Sequence, residues 1–168
     1  MKRKLWLALF VVPVLAFGLV SDVAAREGGG GEKRDGVQNF TAMLRGANEV
    51  PAIPGSDLIG TARITINTRK SVLCWDLEYR TTQHVVAAHI HHGAAGAVGP
   101  VVFGFFNPPP STVTVNEGCR SAPPALLSDI AAHPAAYYAN VHTTAHPGGA
   151  GRGQLTTNSE EEESEESE

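Results

Sequence analysis

Cysteine is scarce in this chain. Its 168 residues hold two, Cys74 and Cys119, and they do not form a C-x-x-C pair. The spacing argues against a thiolate metal clip, although two soft ligands stay open as an alternative. Charge is also thin, at 18% of residues. Between Val37 and Thr157, seven Lys and Arg face six Asp and Glu. A segment so near neutrality offers no basic face to phosphates, which argues against nucleic-acid binding. Beyond the first 20 residues no apolar run is long enough to span a bilayer as a helix. There is no G-x-S-x-G elbow and no close carboxylate pair, so hydrolase chemistry lacks its residues. The chain does have 42% hydrophobic residues, enough for one core. Its 18 Gly and 11 Pro favour many turns and short strands over a helix bundle.

The two ends read differently from the middle. Lys2, Arg3 and Lys4 precede an apolar stretch, Leu5 to Val20, and Val23-Ala24-Ala25 supplies small residues. That order predicts a signal peptide over 1–25, cleaved after Ala25, with an uncleaved anchor as the alternative. Residues 26–36 (REGGGGEKRDG) read as a flexible linker. Ser159 to Glu168 holds seven Glu and three Ser, so 158–168 is predicted to be a disordered acidic tail that aids solubility. The domain is therefore expected over 37–157, outside the cytoplasm: periplasmic, cell-surface or secreted, with no transmembrane span after cleavage. In such a compartment Cys74 and Cys119 are expected to form a disulfide, which leaves no odd thiol.

Alternation of apolar and polar residues predicts strands at 37–44, 58–67, 71–80, 85–91, 101–106, 112–115, 137–143 and 153–157. Asn107-Pro108-Pro109-Pro110 separates two of them, and Pro147 to Gly151 reads as a turn. Ala125 to Ala132 is the helical candidate, with Pro124 at its start and Pro134 just past its end. This is an all-β pattern: an antiparallel Greek-key sandwich or barrel with one short helix.

All seven histidines lie between positions 84 and 146. His89 and His91 are two residues apart on one predicted strand, so they share a face, opposite a stripe of Val86, Ala88 and Ile90. On a later strand His142 and Asn140 lie opposite Ala139 and Val141. An H-x-H pair on one strand and a third His on another can hold a divalent metal, and neutral imidazole suits copper or zinc. His89, His91 and His142 are thus the candidate ligands on an outward face. His146, His92, His84 or water are candidates for a fourth position. Asn140 and Arg152 are candidates for orienting the ligands. His84 and His133 also read as ordinary surface histidines.

Three runs carry a family resemblance. Phe40-Thr41-Ala42-Met43-Leu44-Arg45-Gly46-Ala47-Asn48-Glu49-Val50-Pro51 resembles the opening of the CHRD (chordin-type) domain. Ala88-His89-Ile90-His91-His92-Gly93-Ala94-Ala95-Gly96 is similar to that family's central A-H-I-H-x-G-x-x-G motif. Tyr138-Ala139-Asn140-Val141-His142-Thr143, then Pro147-Gly148-Gly149 and Arg152-Gly153-Gln154-Leu155, resembles its closing run. The runs occur in order and span nearly all of Phe40 to Leu155. Two departures stand out: His92, which adds a candidate ligand, and Ala150-Gly151, which leaves the geometry of the last turn open. The resemblance implies an exported domain of poorly defined biochemistry. A weaker likeness, of fold and ligand order alone, is to copper–zinc superoxide dismutase; an immunoglobulin-like sandwich is the other fold-level comparison.

Three functions remain open at this stage. The first is an exported protein binding copper, or zinc, through the histidines. The second is a dismutase-like redox enzyme on the same residues, so catalysis is left undecided. The third is a metal-free adhesion or matrix module in which the histidines hold the Gly-rich loop. Metal content separates the third from the others.

Overall fold

The computed structural model describes residues 36–106 and 115–158. The predicted signal peptide, the linker except its last residue Gly36, Asn107-Pro108-Pro109-Pro110 and the acidic tail beyond Asn158 lie outside the described residues. Nine strands and one short α-helix form there: β1 Val37–Arg45, β2 Ile59–Asn67, β3 Val72–Arg80, β4 Val85–His92, β5 Val101–Phe106, β6 Val115–Ser121, α1 Pro124–Ala132, β7 Tyr137–Thr143, β8 Gly151–Gln154 and β9 Thr156–Thr157.

The first three strands form a meander because their apolar residues fall on alternate positions. Ala42 pairs with Ala62 and Ala62 with Leu77; Phe40 pairs with Ile64 and Ile64 with Trp75. The matched register stacks the inward residues side by side, and Phe40, Ala62, Ile64, Leu73 and Leu77 are all but fully buried. Burying a side chain of Leu or Ile size contributes roughly 1.5–3 kcal/mol, so a one-residue slip of this register, which turns the whole stripe to solvent, is strongly disfavoured.

The order across the sheet is β5-β4-β7-β8-β1-β2-β3-β6, with β9 beside β1, and the neighbouring pairs are antiparallel. The chain jumps from β3 to β4 and from β6 to β7 rather than running to its spatial neighbour. The sheet wraps into a nearly closed antiparallel barrel, as the alternation implied. Its open seam lies between the end strands β5 and β6, where Arg120 donates to the Gly104 carbonyl and Trp75 packs 5.9 Å from Phe103 and 5.7 Å from Phe105. Helix α1 starts with Pro124 in its first turn and buries Leu127 and Ile130, which lie one turn apart, in the same core.

The disulfide is present. Cys74 and Cys119 are direct partners in the β3–β6 ladder, with an S–S distance of 2.07 Å.

Three readings of the strands change. Residues 112–114 lie outside the described residues, and the strand that follows runs on to Ser121. Its sequence, VNEGCRS, has no apolar stripe; pairing with β3 makes it a strand, and Trp75 fills the space that a side chain at Gly118 would need. The strand expected at 153–157 is two, because Leu155 leaves the ladder and its N–H bonds to the Tyr137 carbonyl instead. The inward stripe of β4 begins at Val85, not Val86: the β4–β7 register shifts between Val85 and Ala87, so Val86 is bulged and only half-buried. The last turn closes despite Ala150-Gly151, since Ala150 N–H bonds to the Val141 carbonyl at 2.7 Å.

Candidate metal centre

The histidines sit on the outer face of adjacent strands. The bulge at Val86 ends before Ala88, so from there on β4 alternates as expected. Ala88 and Ile90 point into the barrel and His89 and His91 away from it. On β7, Ala139 and Val141 point in, while Tyr138, Asn140 and His142 share the other side. Pairing of β4 with β7 then makes one patch. His89 is opposite Asn140, His91 opposite Tyr138, and His142 opposite Ala87, diagonal to His89. Across β8 the row continues, with Arg152 opposite Asn140 and Gln154 opposite Tyr138.

This outer face is nonetheless covered. His91 is 8% exposed, His142 7%, Asn140 3% and Arg152 4%. Loops close over it because the side chains bond their backbone. His91 Nδ1–H donates to the Gly99 carbonyl at 2.9 Å, and His142 Nδ1–H to the Pro147 carbonyl at 3.1 Å. Arg152 donates from Nε to Asn48 O at 2.6 Å and from Nη1 to Ala97 O at 2.8 Å. Tyr138 adds a stacking surface: its ring lies 4.8 Å from that of His91 at 10°, and the Arg152 guanidinium lies 4.6 Å from its centroid.

The carbonyl bonds fix the tautomers. A carbonyl only accepts, so Nδ1 of His91 and His142 must carry the proton and each Nε2 holds a free lone pair. His91 Nε2 is buried and has no hydrogen-bond partner among the described residues. His142 Nε2 faces His89 Nδ1 at 3.1 Å. One nitrogen from each of the three rings lies within 4.8 Å of the others. Holding the second ring nitrogen by a carbonyl is how a protein orients a ligating histidine.

The environment disfavours the charged form of all three rings. Burial pushes His89 down to about 4, helped by His142 and His91. Burial also lowers His91, against the Gly99 bond and with the Arg152 charge. It lowers His142, against the Pro147 bond and with His91. Neutral imidazole is the form that ligates a metal.

The remaining candidates fall elsewhere. His92 is exposed, with its ring 5.0 Å from Tyr137, because the residue after His91 must face the other way. His84 is exposed and precedes β4, and half-buried His146 sits in the loop after β7, where its N–H bonds to Thr143. Among the described residues, the only grouping of possible ligands is His89, His91 and His142. His133 pairs with Asp129 at 2.9 Å on α1.

Sequence reasoning passed over two neighbours of the patch. Tyr138 follows the parity of Asn140 and His142, a signal that was available. Glu49 had only its place in the first of the three runs. It is buried, and burial pushes it up to about 7, against the pull of Arg152 and Asn140.

No curated protein and no solved structure gave a significant match to this chain. A family model does match, over residues 40–155, the span that carries the three runs and the whole of the histidine patch. The chain therefore belongs to the CHRD domain family.

Proposed function

We propose that this chain is an exported CHRD-domain protein that binds one metal ion, copper first and zinc second, through His89 Nδ1, His91 Nε2 and His142 Nε2. The observation that carries the reading is the pairing of two features. Three ring nitrogens lie within 4.8 Å of one another, and backbone carbonyls hold the far nitrogens of His91 and His142. Nitrogen ligands without a carboxylate or thiolate suit copper and zinc better than magnesium or calcium. The disulfide fits an oxidising compartment, and no helix among the described residues is long and apolar enough to cross a membrane. Binding, delivery or storage of the ion is the role this supports.

The competing reading is a metal-free extracellular module. The bonds from His91 to Gly99 and from His142 to Pro147 favour it too, since they tie down loops whether or not an ion is bound. Copper titration of the purified protein and of single Ala variants at 89, 91, 142 and 133 decides. The parent and His133→Ala should bind one ion per chain. The three others should lose more than about a hundredfold in affinity, beyond the usual cost of changing an outer-shell partner. Equal binding by all five proteins would make the histidines structural.

A further inference from the structure

We propose that Arg120 is a positioning residue for His89 and that it couples the metal centre to the Cys74–Cys119 bridge. This rests on the metal-binding reading above. Within the trio, His91 and His142 are oriented by the carbonyls of Gly99 and Pro147, whereas the polar contact of His89 runs to His142 itself. What stands behind the His89 ring is the seam of the barrel. His89 is the direct partner of Gly104 on β5. A side-chain carbon at Gly104 would stand 3.6 Å from His89 Cδ2 and 3.9 Å from Arg120 Nη2. The imidazole and the guanidinium thus flank the same bare glycine.

Arg120 comes from the opposite side of the seam. β5 and β6 are the two ends of the strand order, with β5 beside β4 and β6 beside β3. Arg120 reaches across, donates from Nη2 to the Gly104 carbonyl and lies 4.8 Å from the Phe103 ring centroid. Its chain neighbour Cys119 is bonded to Cys74 on β3. A continuous path of contacts therefore runs from Cys74 through Cys119, Arg120 and Gly104 to His89. Among the described residues β6 has a ladder only with β3, and the bridge fastens that edge strand. Losing it lets β6 fray, Arg120 loosens its hold on Gly104, and the His89 ring samples more positions. A ligand that must be ordered on binding binds more weakly. By reciprocity, a bound ion favours the bridged state.

The test is zinc(II) titration against a chromophoric chelator, which avoids a reductant. Four proteins are compared: the parent, Arg120→Gln, Cys74→Ala/Cys119→Ala, and the combination. Arg120→Gln alters an exposed side chain and keeps the bridge, so it stays informative if the cysteine variant folds poorly. Arg120→Gln and the cysteine variant should each lose roughly tenfold in zinc affinity. The combination should be no weaker than the worse of the two, because both cut one path. Ring-proton NMR of the metal-free proteins gives a second readout: the His89 signals should move in every variant, and those of His142 much less. Losses that multiply in the combination, or unchanged affinity with unmoved His89 signals, overturn the coupling. A parent that takes up neither zinc nor copper overturns the metal reading itself. The coupling falls with it, and the NMR shifts then show only whether Arg120 sets the ring.

Discussion

His89 Nδ1 and His142 Nε2 stand 3.1 Å apart on neighbouring strands. Two nitrogens at that distance share one proton. His142 Nε2 cannot supply it, because His142 Nδ1 already carries the ring's hydrogen toward Pro147. His89 Nδ1–H is therefore the donor, and in the proposed metal site that hydrogen would move to Nε2 of the same ring for His89 to ligate through Nδ1. Ligation through Nδ1 would then require a change of tautomer, not an ionisation.

Metal uptake should accordingly release well under one proton per ion at pH 7.5. Burial holds all three rings below their usual pKa, with His89 at about 4. At a pH a unit above the ordinary imidazole value such rings are largely neutral and have little proton to give. Calorimetric titrations in two buffers of different ionisation enthalpy should yield the same heat. Heats that differ by a full proton's worth would mean that a charged imidazole or a bound water is being deprotonated.

Asp57 gives a pH dependence of opposite origin. Its carboxylate accepts from Thr81 Oγ1 at 2.7 Å and Thr82 N–H at 2.7 Å, with a third bond from Thr82 Oγ1, and these bonds pull it down to about 2 from an ordinary 3.8. The folded pKa lies below the unfolded one, so the stabilisation is fully present above about 3.8 and is lost as pH falls toward 2. The melting-temperature gap between parent and Asp57→Asn should be constant from pH 7 to 5 and should close between pH 4 and 2. A gap that persists at pH 2 would assign it to packing instead.

Removing the bridge should cost stability in proportion to its loop. The two cysteines are separated by 45 residues, for which loop closure predicts about 4 kcal/mol. Guanidinium unfolding of Cys74→Ala/Cys119→Ala against the parent measures it. A loss under about 1 kcal/mol would show that the β3–β6 ladder alone already orders the strand.

Gly153→Ala should be among the most damaging small substitutions. An added carbon there would sit 2.3 Å from the Met43 carbonyl oxygen and 2.7 Å from its carbon, both backbone atoms of β1. Neither can swing aside as a side chain can, so β8 must pull away from β1. A destabilisation of about 1–3 kcal/mol or more is expected, with weaker metal binding because Arg152 moves with β8. Parent-like melting would mean that β8 and β1 can part at this position without cost.

Local alternation made most of the barrel legible in the sequence. Strands β2 and β3 announce themselves because Ala62, Ile64 and Ile66, and then Leu73, Trp75 and Leu77, recur every second residue, and a stripe of period two has one good solution, a buried sheet face. The same rule placed His89 and His91 on one side of β4 and gave His142 the parity of Asn140. Helix α1 was legible from its flanking prolines. β6 was not, because Asn116, Glu117 and Arg120 carry no stripe and the strand exists through its partner. Nor was the bulge at Val86, which depends on how β4 meets β7.

Which face each histidine takes was therefore decided by the sequence, through the pleat of the backbone. That the three faces meet, and that they meet under cover, was decided by tertiary structure. His89 and His142 are 53 residues apart, and Arg152 reaches Asn48 across 104. Side-chain parity is a property of consecutive peptide units and survives in any strand. The carbonyls of Gly99 and Pro147 that orient His91 and His142 come from loops without a periodic pattern, and only the packed barrel brings them to the rings.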